Sequence, residues 1–233
     1  MRGLSEHNYN SKEKKSRFCA QLIVAMDLET VPPPPDASIR MIIRPANIET
    51  ELEPCYALHR AAMHDLVEAV FGPWDESVQR KMFQADWTSE ERRNGTEEVW
   101  LVVVGGEDEE ETFMELDKDA TVHLPVSKDV KDGLAAERVV LGALAIVNRI
   151  DDLHISQISV DPSVQGQGLG YRLLKWVKGR ACERQLAVTL EVWNVNEGAM
   201  RLYKRNGFRK IGEKDGPGRR LKTIMKWDLS SEE

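Results

Sequence analysis

The sequence predicts an α/β domain in which a central mixed sheet of about seven strands is flanked by helices. Its 233 residues are enough for one sizeable core and too few for two domains once the tails are set aside. Strand-like and helix-like segments follow each other in the order β-α-α-β-β-β-α-β-α-β-β, which is typical of a mixed sheet and not of a doubly wound one. Closely spaced glycines also separate one predicted strand from the helix after it. These observations favour one domain over residues 39–229.

The N-terminal residues 1–38 are predicted to form a disordered leader. They are mostly polar and end in VPPPPD, a polyproline stretch that cannot join the interior of a sheet. The apolar segment FCAQLIVAM resembles the core of a signal peptide, but no small-residue cleavage site follows it. We therefore interpret this segment as part of the leader and expect the first strand at Ser38–Ala46, ended by Pro45.

Two helical segments and a strand are predicted next. Apolar residues recur at helical spacing from Leu58 to Ala69, with Asn47 or Thr50 as the expected N-cap. FGPW at residues 71–74 interrupts the periodicity, and Glu76–Trp87 is predicted to be a further helix. The valine-rich segment Glu97–Val104 is predicted to be a strand.

An acidic insertion over Gly105–Glu137 separates that strand from the next one. It holds 11 acidic and 3 basic residues and few apolar ones. A segment of this composition buries little surface, so we expect a mostly solvated insertion in a hairpin, with at most a short strand near Thr121–Leu124.

The second half of the chain alternates strands and helices. An apolar stripe from Leu169 to Ala181 at i, i+4 spacing predicts an amphipathic helix after the glycines. A second helix is expected after Asn194 or Asn196 as its N-cap, with Asn206-Gly207 as its end. The predicted strands are Arg138–Ile150, Asp152–Pro162, Leu186–Trp193 and the two segments GFRKIGEK and RLKTIMKWDL.

Composition and charge restrict the classes of function. No apolar run reaches the ~18 residues of a membrane span, so no membrane partner is expected. Cys19, Cys55 and Cys182 fit no metal spacing, which favours reduced thiols, no metal and a cytoplasmic location, with the nucleus as the alternative. Pro162–Trp227 holds 15 basic and 5 acidic residues, a balance suited to a phosphate-rich small ligand. No nucleic-acid motif accompanies these residues, so no nucleic-acid partner is expected.

The glycine stretch QGQGLG, at Gln165–Gly170, is the strongest local signal. The first turn of a helix offers unpaired backbone N–H groups and a partial positive charge, and glycines let an anion approach them. The stretch is therefore interpreted as a diphosphate cradle, with a tight strand–helix turn that binds nothing as the alternative. The stretch is not followed by the Gly-Lys-Ser/Thr of a P-loop. Its G-x-G-x-G pattern also lacks a third glycine at the distance that the dinucleotide-binding fingerprint requires.

Two stretches of the sequence resemble the GNAT family of N-acetyltransferases. In ISQISVDPSVQGQGLG, the family's Gln/Arg-x-x-Gly-x-Gly/Ala signature is matched by Gln165, Gly168 and Gly170, after Val160 and Pro162 at the expected places. LEVWNVNEGAMRLYKRNGFRKIGE is similar to the family's strand followed by Asn-x-x-Ala-x-x-x-Tyr and then Gly-Phe. The matching residues are Asn196, Ala199, Tyr203, Gly207 and Phe208. The resemblance is strong over Gln157–Glu213, and before that it extends only to the order of elements.

The resemblance implies the GNAT acyl-CoA N-acyltransferase fold, with acetyl-CoA as co-substrate. Its pyrophosphate is expected on the backbone amides of Gln165, Gly166, Gln167, Gly168, Leu169 and Gly170, with Tyr171 adjacent. The pantetheine arm is expected along Ile158, Ser159 and Val160, where two parallel strands splay apart. Asn196, Ala199 and Tyr203 share one helix face, and Tyr203 is expected to protonate the leaving thiolate as general acid. Each also has a structural alternative, Asn196 as a helix cap and Tyr203 as a core residue.

The implied function is transfer of an acetyl group from acetyl-CoA to an amine of a small molecule or protein, by direct attack in a ternary complex. The alternative is a non-catalytic acyl-CoA-binding or regulatory module on the same fold. The sequence does not choose between a protein and a small-molecule acceptor, and a monomer or homodimer is expected. The acidic insertion either attracts a basic acceptor or is a solvated loop.

A base must take a proton from the acceptor's ammonium group before the amine attacks. Glu68 is the first choice, because DLVEAVFGPWDE places an acid before Phe71 and Trp74 where the family has its acceptor groove. The other candidates are Asp65, His64 and His59 on the first helices and Asp152, His154 and Gln157 on the central strand. Gln157 and Trp74 are candidates for acceptor binding, and Trp74 and Trp87 line the groove or belong to the core. His154 is interpreted as a structural histidine.

Overall fold

The computed structural model describes residues 38–104, 122–125, 140–216 and 220–229. The strands are β1 (Ser38–Pro45), β2 (Glu97–Val104), β3 (Val122–Pro125), β4 (Val140–Asn148), β5 (Asp152–Val160), β6 (Ala187–Trp193), β7 (Arg209–Asp215) and β8 (Leu221–Trp227). The helices are α1 (Leu52–Phe71), α2 (Glu76–Trp87), α3 (Glu90–Arg93), α4 (Leu169–Arg184) and α5 (Glu197–Arg205). The predicted leader, apart from Ser38, and most of the acidic insertion lie outside the described residues.

The strands form one mixed sheet in the order β3-β1-β2-β4-β5-β6-β8-β7. The β5–β6 pair is parallel and the other pairs are antiparallel. The seven strands expected outside the acidic insertion are all present, and the eighth is the short strand expected within it. That strand is described over Val122–Pro125 and pairs with β1 at the edge of the sheet.

Helices pack on both faces of this sheet. On one face, α4 and α5 cover the larger core, in which Leu173, Leu174 and Val177 are fully buried against β5, β6 and β8. On the other face, α1 and α2 place Tyr56 and Phe83 against β1, β2 and β4. Because side chains alternate across a strand, the same strands supply both cores.

One local expectation about the helices is wrong. Neither Asn47 nor Thr50 caps α1: the Asn47 Oδ1 accepts from the amides of Glu49 and Thr50 in a turn, and the helix begins after Glu51. The Glu51 carboxylate binds the Arg44 guanidinium and the Asn47 amide, which fixes this turn on β1. The one-turn helix α3 was also not predicted.

Several of the basic side chains in Pro162–Trp227 make contacts inside the fold. The Lys178 ammonium donates to the Asn206 carbonyl and lies 5.2 Å from the centre of the Trp227 ring. Arg180 is buried between Trp100 and Trp176 and pairs with Glu98 at 2.8 Å. The positive charge counted in the sequence is therefore not all available to a ligand.

Candidate functional site

The parallel strands β5 and β6 separate half-way along their length. Their pairing ends at Ile155 and Leu190, although β5 continues to Val160 and β6 to Trp193. A bulge begins at the same level, because Ala145 pairs with Gln157 while Ile146 pairs with Ile155, which leaves Ser156 as an extra residue. The predicted splay at residues 158–160 is confirmed, and it leaves strand backbone facing a wedge into which an extended amide-bearing chain fits.

A glycine turn follows β5 and begins α4. Gly166 and Gly168 have φ of +76° and +85°, a left-handed conformation that favours glycine. A Cβ built on either residue meets no protein atom within 4 Å, so the space beside both is open. Within α4, Arg172 is the residue whose amide binds back to the Gly168 carbonyl, so the amides of the preceding turn point out of the helix.

Neighbouring side chains hold the glycine turn in place. The Gln165 side chain donates to the Val160 carbonyl at 2.9 Å and ties the turn to the end of β5. The Gln167 side chain donates to the Ser163 carbonyl at 3.3 Å. Leu169 is buried in the core, so only its amide is available to a ligand. Tyr171 is exposed on the first turn of α4, and Arg172 is half-buried beside it.

Helix α5 packs beside the first turn of α4. A Cβ on Gly170 would lie 3.0 Å from the Leu202 side chain, so the glycine permits this close packing. Asn196 is the N-cap of α5, and its Oδ1 accepts from the Ala199 amide at 3.1 Å. The capping interpretation of Asn196 is thus confirmed, and its amide NH₂ group is left for another acceptor. Ala199 is half-buried against the larger core.

Tyr203 lies with its ring in the larger core, next to Phe208 at 5.9 Å between ring centres. Its hydroxyl makes no hydrogen bond to any residue in the described ranges. Burial raises the pKa of Tyr203 far above its ordinary value, so the phenol stays protonated at neutral pH. The Tyr203 hydroxyl is therefore a proton donor without a hydrogen-bond acceptor among the residues that the structure describes.

The opposite face of the sheet carries the candidate acceptor residues. The Phe71 and Trp193 rings meet edge to face at 5.7 Å, which joins the end of α1 to the end of β6. Trp74 is half-buried and stacks on His64 at 5.1 Å. The Glu68 carboxylate accepts from the Trp74 backbone amide at 3.2 Å and is about half exposed, with a side-chain exposure of 46%. Glu68 therefore holds the loop after α1 in place.

A small cavity lies under α1 and α2, above strands β2, β4 and β5. The volume of this cavity is about 20 Å³, which is room for one or two waters. His59 and Gln157 meet on its wall, with 3.2 Å between His59 Nδ1 and the Gln157 side-chain nitrogen. The same nitrogen is 3.1 Å from the Ser159 hydroxyl. Cys55, Leu58, Phe83, Trp87, Arg92, Val99, Ala143 and Ala145 complete the lining.

The remaining candidates have structural partners or face solvent. His154 is buried and hydrogen-bonds Thr189 at 2.9 Å, and Thr189 donates to Asp152 at 2.7 Å, so the structural interpretation of His154 is confirmed. Trp87 is 2% exposed and donates to the Ile48 carbonyl, which makes it a core residue that also lines the cavity. The side chain of Asp65 is fully exposed.

Glu191 is a further candidate base that was not predicted from the sequence. It directly follows Leu190, the last residue of β6 that pairs with β5, and it lies on the face opposite the larger core. Its carboxylate binds the ammonium groups of Lys214 and Lys222. Alternation within β6 predicts which face Glu191 occupies, but the pairing of its carboxylate with Lys214 and Lys222 depends on residues distant in sequence.

In the part of the chain that the structure describes, no helix is long and apolar enough to cross a membrane. Within the same residues, no group of three or more His, Cys, Asp or Glu side chains is placed to hold a metal ion.

Comparison with known proteins gives one family. Residues 130–210 match the model of the acetyltransferase (GNAT) domain. The N-alpha-acetyltransferase RimI of Mycobacterium tuberculosis is 39% identical over 61 residues, which are 26% of this chain and 37% of that protein. The chain thus spans little more than a third of that relative's length.

Solved structures share the fold at low sequence identity. The ribosomal-protein-S18-alanine N-acetyltransferase from Escherichia coli superposes with a TM-score of 0.51 and 19% identity, over 81% of this chain and 94% of that chain. The PaiA N-acetyltransferase from Thermoplasma acidophilum, solved in complex with coenzyme A, gives a TM-score of 0.52 and 13% identity, over 80% and 99%. At identities this low, the superpositions show a shared fold alone.

Proposed function

We propose that the chain, whose residues 130–210 match the acetyltransferase (GNAT) domain, is an enzyme that transfers an acetyl group from acetyl-CoA to an amine. One observation carries this proposal. The wedge between β5 and β6 ends at a glycine turn whose two left-handed residues face open space at the start of a 16-residue helix. A strand-like arm followed by a diphosphate fits that surface, and a simple strand–helix turn needs neither feature.

The residues present fit acetyl-CoA. The amides from Gly166 to Tyr171 would hold the pyrophosphate, since a Cβ at Gly166 or Gly168 would occupy the space beside them. The backbone from Ile158 to Val160 would pair with the pantetheine amides. When bound, acetyl-CoA supplies a thioester carbonyl open to nucleophilic attack. Arg172 and Lys175 follow the glycine turn by one and two helical turns and add positive charge on that side.

Tyr203 is proposed as the general acid. Expulsion of a thiolate is helped by a proton donor, because the conjugate thiol has a pKa of about 8.5 in water. The Tyr203 hydroxyl is protonated and has no described partner. The apolar surroundings that raise the pKa of the phenol also raise the basicity of a thiolate formed beside it. The proton transfer is therefore less unfavourable than the pKa of Tyr203 alone indicates.

The acceptor is proposed to be an amine of a protein or a small molecule that reaches the sheet from the α1 side. The contact between Phe71 and Trp193 and the half-buried Trp74 make this side partly aromatic. The relative named above is an N-alpha-acetyltransferase, which makes a protein α-amino group one of the amines to test.

The test is release of free thiol from acetyl-CoA in the presence of three amines. These are a peptide with a free N-terminal alanine, an N-terminally blocked peptide with one lysine, and spermidine. Thiol release that depends on the amine, together with mass addition of one acetyl group, supports the enzyme. Tight binding of acetyl-CoA without turnover on any of a wider amine panel would instead indicate a non-catalytic acyl-CoA-binding module.

A further inference from the structure

The contacts of His59 fix the orientation of its ring and leave one ring nitrogen without a partner among the described residues. Its ring is packed against Phe83, with ring centres 4.9 Å apart, and against Trp74 at 6.3 Å. Its Nδ1 faces the Gln157 side chain at 3.2 Å, and its Nε2 makes no hydrogen bond to a residue the structure describes. Gln157 is also the first β5 residue after the bulge. A histidine on α1 is thus fixed to the strand that opens the wedge.

We propose that His59 is the general base that removes a proton from the acceptor's ammonium group, and that Gln157 is its positioning residue. This inference rests on the proposed function, since it assigns a role within the same transfer reaction. A base held by a second side chain, with its other nitrogen free, is the arrangement that general-base histidines use. The small cavity beside His59 has room for one or two waters, so the proton can move directly or through a water.

The Gln157 side chain fits the required tautomer. Rotating its amide by half a turn places the oxygen where it accepts from both His59 Nδ1–H and the Ser159 hydroxyl, because both lie within 3.2 Å of one amide atom. The proton of a neutral imidazole then lies on Nδ1, and the lone pair lies on Nε2. Nε2 is the nitrogen without a described partner, so it is free to receive a proton.

The surroundings of His59 keep it neutral. Burial lowers the pKa of His59 below its ordinary value of 6.5. On α1, Cys55 is a neutral thiol whose pKa burial raises to about 12, and burial also raises the pKa of Tyr56. From α3, the Arg92 guanidinium is paired with Glu97 and Asp86. The lining residues from α2, β2, β4 and β5 carry no charge.

Glu191 is the competing base on this face. Partial burial acts to raise its pKa, but the bonds to Lys214 and Lys222 hold the pKa of Glu191 below its ordinary value. A general base is most effective when its pKa lies near the working pH. A neutral imidazole with an unpaired nitrogen meets that condition at neutral pH better than a carboxylate paired with two ammonium groups.

The protons balance as follows. His59 takes one proton from the ammonium group and later gives it to solvent. The neutral amine nitrogen then forms the C–N bond with its lone pair, and the C–S bond breaks with its electron pair on sulfur. Tyr203 gives its proton to the thiolate. The nitrogen then loses a second proton, and a proton returns to Tyr203 through solvent and restores its hydroxyl. The products are one amide, one thiol and one proton.

The first experiment compares His59→Gln with His64→Gln, a matched change five residues further along α1. The measured quantity is kcat/KM against pH, with the amine of the three that releases thiol fastest. Wild type should lose rate as the pH falls through a midpoint below 6.5, because protonated His59 cannot act as base. His59→Gln should lose about 10²–10⁴-fold in kcat/KM at neutral pH, with this acid limb abolished. His64→Gln should keep the limb.

The second experiment uses Gln157→Glu and added imidazole. A carboxylate facing Nδ1 favours the imidazolium, so Gln157→Glu should move the midpoint of the acid limb upward by about one pH unit. An unmoved midpoint would mean that residue 157 does not face the group that titrates in this limb, which would remove Gln157 as the positioning residue of the base. Imidazole in the buffer should restore part of the rate of His59→Ala and none of the rate of His59→Gln, whose side chain occupies the space.

Three outcomes overturn the assignment. If wild type releases thiol but His59→Gln keeps both its rate and its acid limb, His59 is not the base while the proposed function stands. If Glu191→Gln abolishes the limb and His59→Gln does not, the base is Glu191. If wild type releases no thiol with any amine, the proposed function fails and the role of His59 fails with it.

Discussion

Gly168 and Gly95 are a matched pair of backbone positions, and they allow a sharp test of the acetyl-CoA site. Gly168 has φ +85° and Gly95 has φ +77°, and a Cβ built on either meets no protein atom within 4 Å. Gly168 follows the C-terminal end of β5, whereas Gly95 precedes β2 at the opposite end of the sheet. Gly168→Ala and Gly95→Ala therefore impose the same backbone strain, but only one of them places a methyl group at the proposed cradle.

The expected magnitudes differ between stability and binding. A left-handed conformation costs a residue with a Cβ about 1–2 kcal/mol, so both variants should lose a similar free energy of unfolding. At Gly168 the added Cβ also prevents a phosphate from reaching the backbone amides. Loss of one hydrogen bond to a charged group costs about 1.5–3 kcal/mol, which weakens acetyl-CoA binding by about 10- to 150-fold. A β-branched residue such as valine would add strain and obscure this comparison.

The assay is calorimetric titration of each variant with acetyl-CoA, beside denaturant unfolding of the same samples. Gly95→Ala should bind acetyl-CoA with the wild-type affinity and report the stability cost alone. If Gly168→Ala also binds as wild type does, the diphosphate does not lie on this turn, and the turn is a strand–helix connection without a ligand. Equal weakening in both variants would assign the loss to strain.

Three further predictions concern other parts of the site and its support. Tyr203→Phe keeps the buried ring, so the melting temperature and acetyl-CoA affinity should change little while turnover falls about 10²–10⁴-fold; wild-type turnover would exclude the phenol as acid. Asn196→Asp keeps the cap of α5 but removes the amide donor, so acetyl-CoA should bind more weakly at unchanged thermal stability, whereas Asn196→Ala should also lose about 1 kcal/mol of stability. Arg92→Met leaves the buried Glu97 carboxylate without its cation, and denaturant unfolding should show a loss of about 3–5 kcal/mol.

The local parts of the site could be predicted because their signals are short in sequence. A glycine turn needs only residues that tolerate positive φ, and Gly166 and Gly168 have that conformation. The N-cap at Asn196 and the left-handed Gly207 after the C-cap of α5, with φ +80°, likewise depend on a few adjacent residues. For the same reason the bounds of α2 and β2 were predicted to the residue.

The acceptor side could not be predicted, because its contacts join residues far apart in the chain. His59 and Gln157 are 98 positions apart and meet only when α1 packs on β5. Glu68 was preferred as base from its place before Trp74, yet its carboxylate accepts a hydrogen bond from the Trp74 backbone amide. Hydrophobic periodicity indicates which face of α1 is buried, but it does not indicate which strand lies beneath a given turn.

The bulge at Ser156 explains how one strand serves both halves of the reaction. Leu153 and Ile155 face the larger core, so in a regular strand Gln157 and Ser159 would face it too. The extra residue reverses the alternation, as a one-residue slip in register does. As a result, Ile158 and Val160 pack on the α4 side, and Gln157 and Ser159 line the cavity beside His59. The irregularity that turns β5 away from β6 therefore also turns the two polar side chains toward the proposed base.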